Sequence, residues 1–294
     1  MRRCSRNTRM IHRINVENDG RSSRVNGGVN VPETPRIGLA LGSGGARGFA
    51  HIGVIQVLEE AKVPVQVISG SSMGSLIGAI YATGAPVKRI EQLACHLPVT
   101  QWIDVTLPRM GVIAGERFHR LIKLLTKELN FDQTVIPLSI IATDLETGER
   151  VTFTEGPIHE AVRASVAIPG VFTPYRYQGK MLVDGGVIDR VPIQAARELG
   201  AEFVIAVDVG LFDKLPPVKN VVDVIVQSID IMEREVFRYR VLDADFVVRP
   251  ALDLMSSIAF NNAQKAIEVG RAAMQSALPQ LLSLLEKWRG LHSQ

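Results

Sequence analysis

Cysteine is scarce in this chain. Only Cys4 and Cys95 occur among 294 residues, which excludes a disulfide framework and suits a reducing, cytoplasmic setting. Long apolar runs are missing too. Stretches such as Leu76 to Ala82 and Phe203 to Val207 fall far short of the roughly 20 residues that span a bilayer. The first twenty residues carry arginines but no apolar centre, so they do not read as a secretory signal. Charge of one sign is not concentrated. The net charge is +3, and outside the N-terminal tail the basic residues are spread, which argues against a nucleic-acid partner. What remains is a cytoplasmic protein that touches, at most, a membrane surface.

Apolar residues make up 46% of the chain, enough for a large core. Residues 1–35 are rich in Arg, Asn, Ser and Gly without hydrophobic period, and are expected to be a disordered tail. From residue 36 strands and helices alternate. Arg36 to Leu41, Val65 to Ser69, Leu138 to Asp144, Lys180 to Asp184 and Phe203 to Val209 read as strands. Arg150 to Thr154 pairs with the third of these through Glu146-Thr147-Gly148. Helical spacing follows Ala50, Met73, Val87, Glu116, Ile158 and Pro192. Residues 96–115 read as irregular. Two late helices step by three and four, through Val222, Ile225, Ile229, Met232, Val236 and Tyr239, and through Ala263 to Leu285. Their stripes are expected to be core faces. This order predicts one α/β domain over 36–288, a three-layer α/β/α arrangement around a mostly parallel sheet.

The first chemical signal is the loop Gly42-Ser43-Gly44-Gly45-Ala46-Arg47-Gly48, between a strand and a helix. Backbone N–H groups are free there and the helix dipole adds positive potential. A dinucleotide fingerprint fails: counted from Gly42, its third glycine would fall at Arg47, and no acidic residue ends the second strand. A phosphate loop fails for want of Gly-Lys-Ser/Thr. The loop is then either a structural turn or an oxyanion hole, with Gly44 and Gly45 as donors and Arg47 as a nearby cation.

The second signal is Gly70-Ser71-Ser72-Met73-Gly74. A strand end feeding Gly-x-Ser-x-Gly and then a helix is the setting of a nucleophile elbow, with Ser72 as the nucleophile. Serine needs a base. Of the histidines, His12 lies in the tail, His292 near the C-terminus, and His51 ahead of the serine. His96, His119 and His159 sit in or beside helices with no acidic partner at a strand end. Carboxylates at strand ends fit better: Asp184 before Gly185-Gly186, with Asp208 and Asp144 as rivals. No metal ligands at helical or hairpin spacing appear, so no metal and no cofactor is expected. Residues 98–115, with Trp102, Leu107, Met110, Val112 and Ile113, are either local packing or the flap of an acyl channel.

Four motifs in order resemble the patatin-like phospholipases, in particular the bacterial branch related to the neuropathy target esterase domain. They are the loop Gly42–Gly48, the turn Gly70–Gly74, the segment Ala164-Ser165-Val166-Ala167-Ile168-Pro169, and Asp184-Gly185-Gly186. Ser43 departs from the glycine that many members carry. The resemblance implies a patatin-like fold and a Ser72–Asp184 dyad without histidine, singling out Asp184 over its rivals. It also implies an oxyanion hole from Gly44, Gly45, Arg47 and Gly48. The expected activity is hydrolysis of a lipid ester. Acyl transfer or thioester hydrolysis on the same pair, or a non-catalytic lipid-binding role, are the alternatives.

Overall fold

The computed structural model describes residues 34–98, 100, 103–104, 110–210, 216–240 and 243–292. Nearly all of the expected tail, and Trp102 and Leu107 of the expected flap, lie outside them. Along the chain come β1 (Ile37–Leu41), α1 (Ala50–Glu60), β2 (Val67–Ser71), α2 (Met73–Ala82), α3 (Val87–His96), β3 (Gly111–Ile113), α4 (Glu116–Leu125), β4 (Leu138–Asp144) and β5 (Arg150–Phe153). They continue with α5 (Ile158–Ser165), β6 (Gly170–Phe172), β7 (Tyr175–Tyr177), β8 (Lys180–Asp184), α6 (Ile193–Glu198), β9 (Phe203–Val207), α7 (Val221–Arg240), β10 (Phe246–Val248) and α8 (Ala263–His292).

The main sheet runs β10–β9–β1–β2–β4–β8–β7, with β5 also paired to β4. From β10 to β4 every pairing is parallel. β5, β8 and β7 add antiparallel pairings at the other end. Parallel strands covered on both faces need apolar residues at every position. Ile-Gly-Leu-Ala-Leu in β1 and Phe-Val-Ile-Ala-Val in β9 are accordingly buried throughout. Alternate residues serve opposite layers. Leu39, Leu41, Ile205 and Val207 join the larger core, beneath α1, α2 and α8. Ala40, Val204 and Ala206 meet Ile193 and Ala196 of α6 on the other face. The layers are thus α/β/α, as the strand–helix alternation predicts.

Two expectations change. Residues 96–115 are not wholly irregular: β3 pairs in parallel with β6 in a separate two-stranded sheet. Arg163 of α5 braces it, donating from Nη2 to Ala114 O at 2.8 Å and Thr173 O at 3.2 Å. Three-residue strands carry too few alternations for a period to show. The stripe of α7 is also placed differently. Val226, Asp230 and Glu233 turn inward, whereas Met232 and Val236 are exposed by 60% and 49%. Polar residues occupy the inward face because buried arginines await them. The start of α7 is fixed reciprocally: Asn220 Oδ1 accepts the Asp223 N–H at 3.0 Å, and Asp223 Oδ2 accepts the Asn220 N–H at 3.2 Å.

Candidate active site

β2 runs to Ser71, so Ser72 follows the strand directly and α2 begins at Met73. The turn is sharp enough to hold Ser72 at φ 54°, ψ −124°, a left-handed conformation that a side-chain-bearing residue adopts only under constraint. The constraint is visible. A Cβ at Gly74 would overlap the carbonyl of Leu41, so α2 can start this close to β1 only with glycine there. Ser75 donates its hydroxyl and its N–H to Ser72 O at 2.6 and 2.9 Å. The Ser72 N–H is taken by Ser165 Oγ at 2.9 Å.

Asp184 ends β8. Ser72 Oγ donates to its Oδ2 at 2.5 Å, and the Gly186 N–H donates to its Oδ1 at 2.8 Å. The Asp184 N–H in turn donates to Ala167 O at 3.0 Å. One segment, Ser165 to Ala167, therefore holds the backbones of both residues. Thr143 on β4 donates to the Asp184 carbonyl at 2.8 Å. Both partners are shut away, Ser72 at 2% and Asp184 at 3% exposure. Burial pushes the Asp184 carboxyl up to about 7, against the hydrogen bonds from Ser72 and Gly186 that favour its ionised form.

The glycine loop lies beside this pair. Gly45 opens a short 3-10 helix over Gly45–Phe49 with φ 53°, and a Cβ there would overlap the carbonyl of Ser257. Ser43 N–H donates to Arg190 O, and Ala46 N–H to Ser257 O, at 2.8 and 2.7 Å. Between them, the N–H groups of Gly44 and Gly45 enter no backbone hydrogen bond among the described residues. Gly48 lets the loop press on Met73 of the turn. Arg47 does not point at open space. Its guanidinium is buried, with Nη2 donating to Asp230 of α7 at 2.6 Å and Nε to Gly44 O at 3.4 Å.

The rival carboxylates have other partners. Asp208 faces Arg190 Nε at 3.3 Å and accepts the Gly210 N–H at 3.0 Å. Asp144 accepts the Glu146 N–H at 3.0 Å within the β4–β5 turn. Among the described residues no histidine bonds to Ser72 or Asp184. His51 Nε2 donates to Gly42 O at 2.8 Å, and burial lowers its pKa to about 4. His119 Nε2 and His159 Nδ1 meet at 2.9 Å, at the end of α5 remote from Ser165. A lone hydroxyl–carboxylate contact with free N–H groups beside it can pass the serine proton and receive negative charge on an attacked carbonyl oxygen.

Next to Met73 lies an apolar cavity of about 60 Å³, between α2, α3 and α4, with Phe49, Ile77, Leu93 and Phe118 in its wall. Glu233 is the residue that sequence reasoning missed. It sits on the inward face of α7, beside Gly186. No motif marks it, because its partner Arg190 is 43 residues away.

Solved structures share this fold. VipD from Legionella pneumophila aligns with TM-score 0.62 at 16% identity, over 85% of this chain and 67% of its own. The type III effector protein ExoU aligns with TM-score 0.51 at 17% identity, over 85% and 53%. The family model of the patatin-like phospholipases matches residues 39–197. The chain belongs to the patatin-like phospholipase family. An uncharacterized NTE family protein of Mycobacterium tuberculosis is 37% identical over 185 residues, 61% of this chain and 50% of that protein. Lysophospholipase nte1 of Aspergillus fumigatus is 36% identical over 188 residues, 62% of this chain and 12% of that protein. The human patatin-like phospholipase domain-containing protein 6 is 36% identical over 186 residues, 60% and 14%. The chain thus spans about half the length of its mycobacterial relative and a small part of the other two. Among the described residues no helix is long and apolar enough to cross a membrane.

Proposed function

We propose that the protein is a serine lipid acyl hydrolase of the phospholipase, lysophospholipase or carboxylesterase type, acting through a Ser72–Asp184 dyad. The observation that carries this is the 2.5 Å contact of Ser72 Oγ with Asp184 Oδ2, beside the Gly44 and Gly45 N–H groups, which have no acceptor among the described residues. Ser72 Oγ attacks the ester carbonyl carbon while its proton passes to Asp184. The carbonyl oxygen becomes an oxyanion, held by Gly44 and Gly45 N–H and by the N-terminus of α2. Collapse breaks the ester bond, and the leaving alkoxide takes the proton from Asp184. A water then repeats the sequence on the acyl-enzyme and frees the acid. A base with pKa near 7 is matched to neutral pH, whereas an ordinary aspartate is too weak. Arg47 serves as a positioning residue, tying the loop to α7.

The acyl chain enters the apolar cavity beside Met73. Its volume of about 60 Å³ is well below the roughly 300–1,000 Å³ usual for ligand pockets, so α3 and α4 part to admit a long chain. The lipid is taken from a membrane surface, against which the exposed apolar face of α7 rests. Such a role needs no cofactor. A regulator that only binds lipid has no use for an intact serine, aspartate and loop, which favours the enzymatic reading. Labelling with a fluorophosphonate, mapped by peptide, tests it: modification at Ser72 supports the proposal, and none at Ser72 ends it. A lipid panel then names the ester.

A further inference from the structure

Among the described residues, the surroundings of Asp184 hold more carboxyls than cations. Asp184, Asp208 and Glu233 are buried, and Asp230 nearly so, with Arg47 and Arg190 the guanidiniums buried among them. Arg249, with its side chain 41% exposed, comes only within 4.0 Å of Asp208. Asp230 has Arg47, and Asp208 has Arg190 Nε. Glu233 must share that same Arg190, whose Nη1 donates to Oε2 at 2.8 Å. The other oxygen, Oε1, receives no hydrogen bond among the described residues and lies against Gly186, where a Cβ would stand 2.6 Å from it. Ser43 Oγ borders the same spot. Gly186 is the donor to Asp184 Oδ1, and Ser43 leads into the Gly44–Gly45 loop. Glu233 therefore borders Gly186, the donor to Asp184, on the side where Ser43 leads into the glycine loop.

One guanidinium cannot neutralise two buried carboxylates, so one of the pair is favoured to take up a proton rather than keep its charge. We propose that Glu233 works as a protonated, neutral carboxyl, and that its neutrality lets an oxyanion form at the neighbouring glycine loop. The proposal rests on the hydrolase reading and adds a positioning residue to it. Burial raises the Glu233 pKa to about 8, with Arg190 and Arg47 opposing and Asp184 and Asp230 adding to the rise. His51, beyond Asp208, is neutral. Asp184, whose two oxygens receive hydrogen bonds from Ser72 and Gly186, carries the charge of the base while Glu233 is neutral. Once Glu233 ionises, a second negative charge stands beside the loop and opposes the charge developing there.

The pH profile of kcat/KM on a soluble p-nitrophenyl ester tests this in wild type and Glu233→Gln. The wild type should fall in activity above about pH 8, and the amide, which cannot ionise, should remove that alkaline fall. The same fall at the same midpoint in the variant overturns the proposal. Infrared spectra give a second reading that needs no turnover and no change at Glu233. In Asp184→Asn a protonated-carboxyl stretch should remain, and it should vanish at a midpoint below that of the wild type, because the Asp184 charge that helps raise the Glu233 pKa is gone, yet above the ordinary glutamate range, because burial persists. Its absence at about pH 6, still above the ordinary glutamate range, overturns the proposal. If the stretch is present but the wild type hydrolyses no ester and its Ser72 takes no label, the hydrolase reading fails while the protonation of Glu233 is upheld.

Discussion

The hydroxyl of Ser165 accepts the backbone N–H of Ser72 at 2.9 Å. Two residues on, the Ala167 carbonyl accepts the N–H of Asp184 at 3.0 Å. The end of α5 thus sets the spacing between Ser72 and Asp184, the proposed nucleophile and base, without touching either side chain. It gives a physical role to the Ala-Ser-x-Ala-x-Pro segment, whose residues carry no acid–base chemistry of their own.

Replacing Ser165 by alanine leaves the Ser72 N–H buried without an acceptor. A buried polar group stripped of its partner costs about 1–3 kcal/mol, and the strained Ser72 backbone loses a restraint. Urea denaturation should show that loss of stability, and the rate of fluorophosphonate labelling should drop at least about tenfold. Wild-type labelling kinetics in Ser165→Ala would refute the positioning role.

The dyad itself makes a sharper prediction. Ser72→Ala should lower turnover by about 10⁴–10⁶, as for other serine nucleophiles. Asp184→Asn removes the proton acceptor and should fall comparably. Burial holds the Asp184 carboxyl near 7, and only its ionised form accepts a proton. Activity should therefore rise with pH through about 7 and be lost below it. Asp208→Asn disturbs the Arg190 pair and should reduce stability more than labelling. A nearly active Asp184→Asn beside a dead Asp208→Asn would transfer the role of base.

That Ser72 and Asp184 meet was legible in part, because each sits at the end of an apolar strand beside glycines. The alternation of strands and helices likewise gave the layers and most element positions to within a few residues. What was illegible depends on contacts between distant residues. Arg47 reads as a cation for the oxyanion loop until Asp230, 183 residues later, is seen to hold it. The spacing of α7 shows an apolar stripe, but only the buried arginines reveal that the inward face is acidic. β3 and β6 are too short to show a period and exist because each completes the other.

His51 should make stability depend on acid pH. Its Nδ1 is buried without a partner among the described residues, and burial lowers the folded pKa to about 4 from 6.5. Between those values the unfolded chain binds a proton that the folded one refuses. The contribution is complete above pH 6.5 and is lost as pH falls towards 4, a change of about 3 kcal/mol. Asp184 and Glu233, with raised folded pKa values, act in the opposite sense. The His51 term is isolated by comparing wild type with His51→Gln between about pH 7 and 4. Parallel stability curves would show that His51 is not the source.

Chain-length preference should follow the cavity beside Met73. Each methylene taken from water there adds about 0.8 kcal/mol, or roughly fourfold in kcat/KM. The gain should continue until the opening between α3 and α4 is filled. Leu93 lines the cavity and is only half-buried, so Leu93→Trp should narrow it without a large folding penalty. The variant should lose the gain on longer esters and keep its activity on acetate. An unchanged ratio of long- to short-chain activity would place the acyl chain elsewhere.

Surface binding should depend on the outward face of α7. Val221, Val224, Met232 and Val236 are exposed by 70%, 50%, 60% and 49%. At 100° per residue they fall on one stripe, opposite the inward Asp230. Each such side chain, if buried in lipid, contributes about 1.5–3 kcal/mol when fully withdrawn from water. Substituting Met232 and Val236 by aspartate should thus weaken co-sedimentation with phosphatidylcholine–phosphatidylglycerol vesicles at least about tenfold, since 1.4 kcal/mol is tenfold. Activity on a soluble ester should survive, because neither side chain faces Ser72. Equal co-sedimentation of variant and wild type would refute a role for this face. A matching Trp102→Ala variant then decides whether the 98–115 segment shares the contact: if binding falls only there, the flap and not α7 meets the lipid.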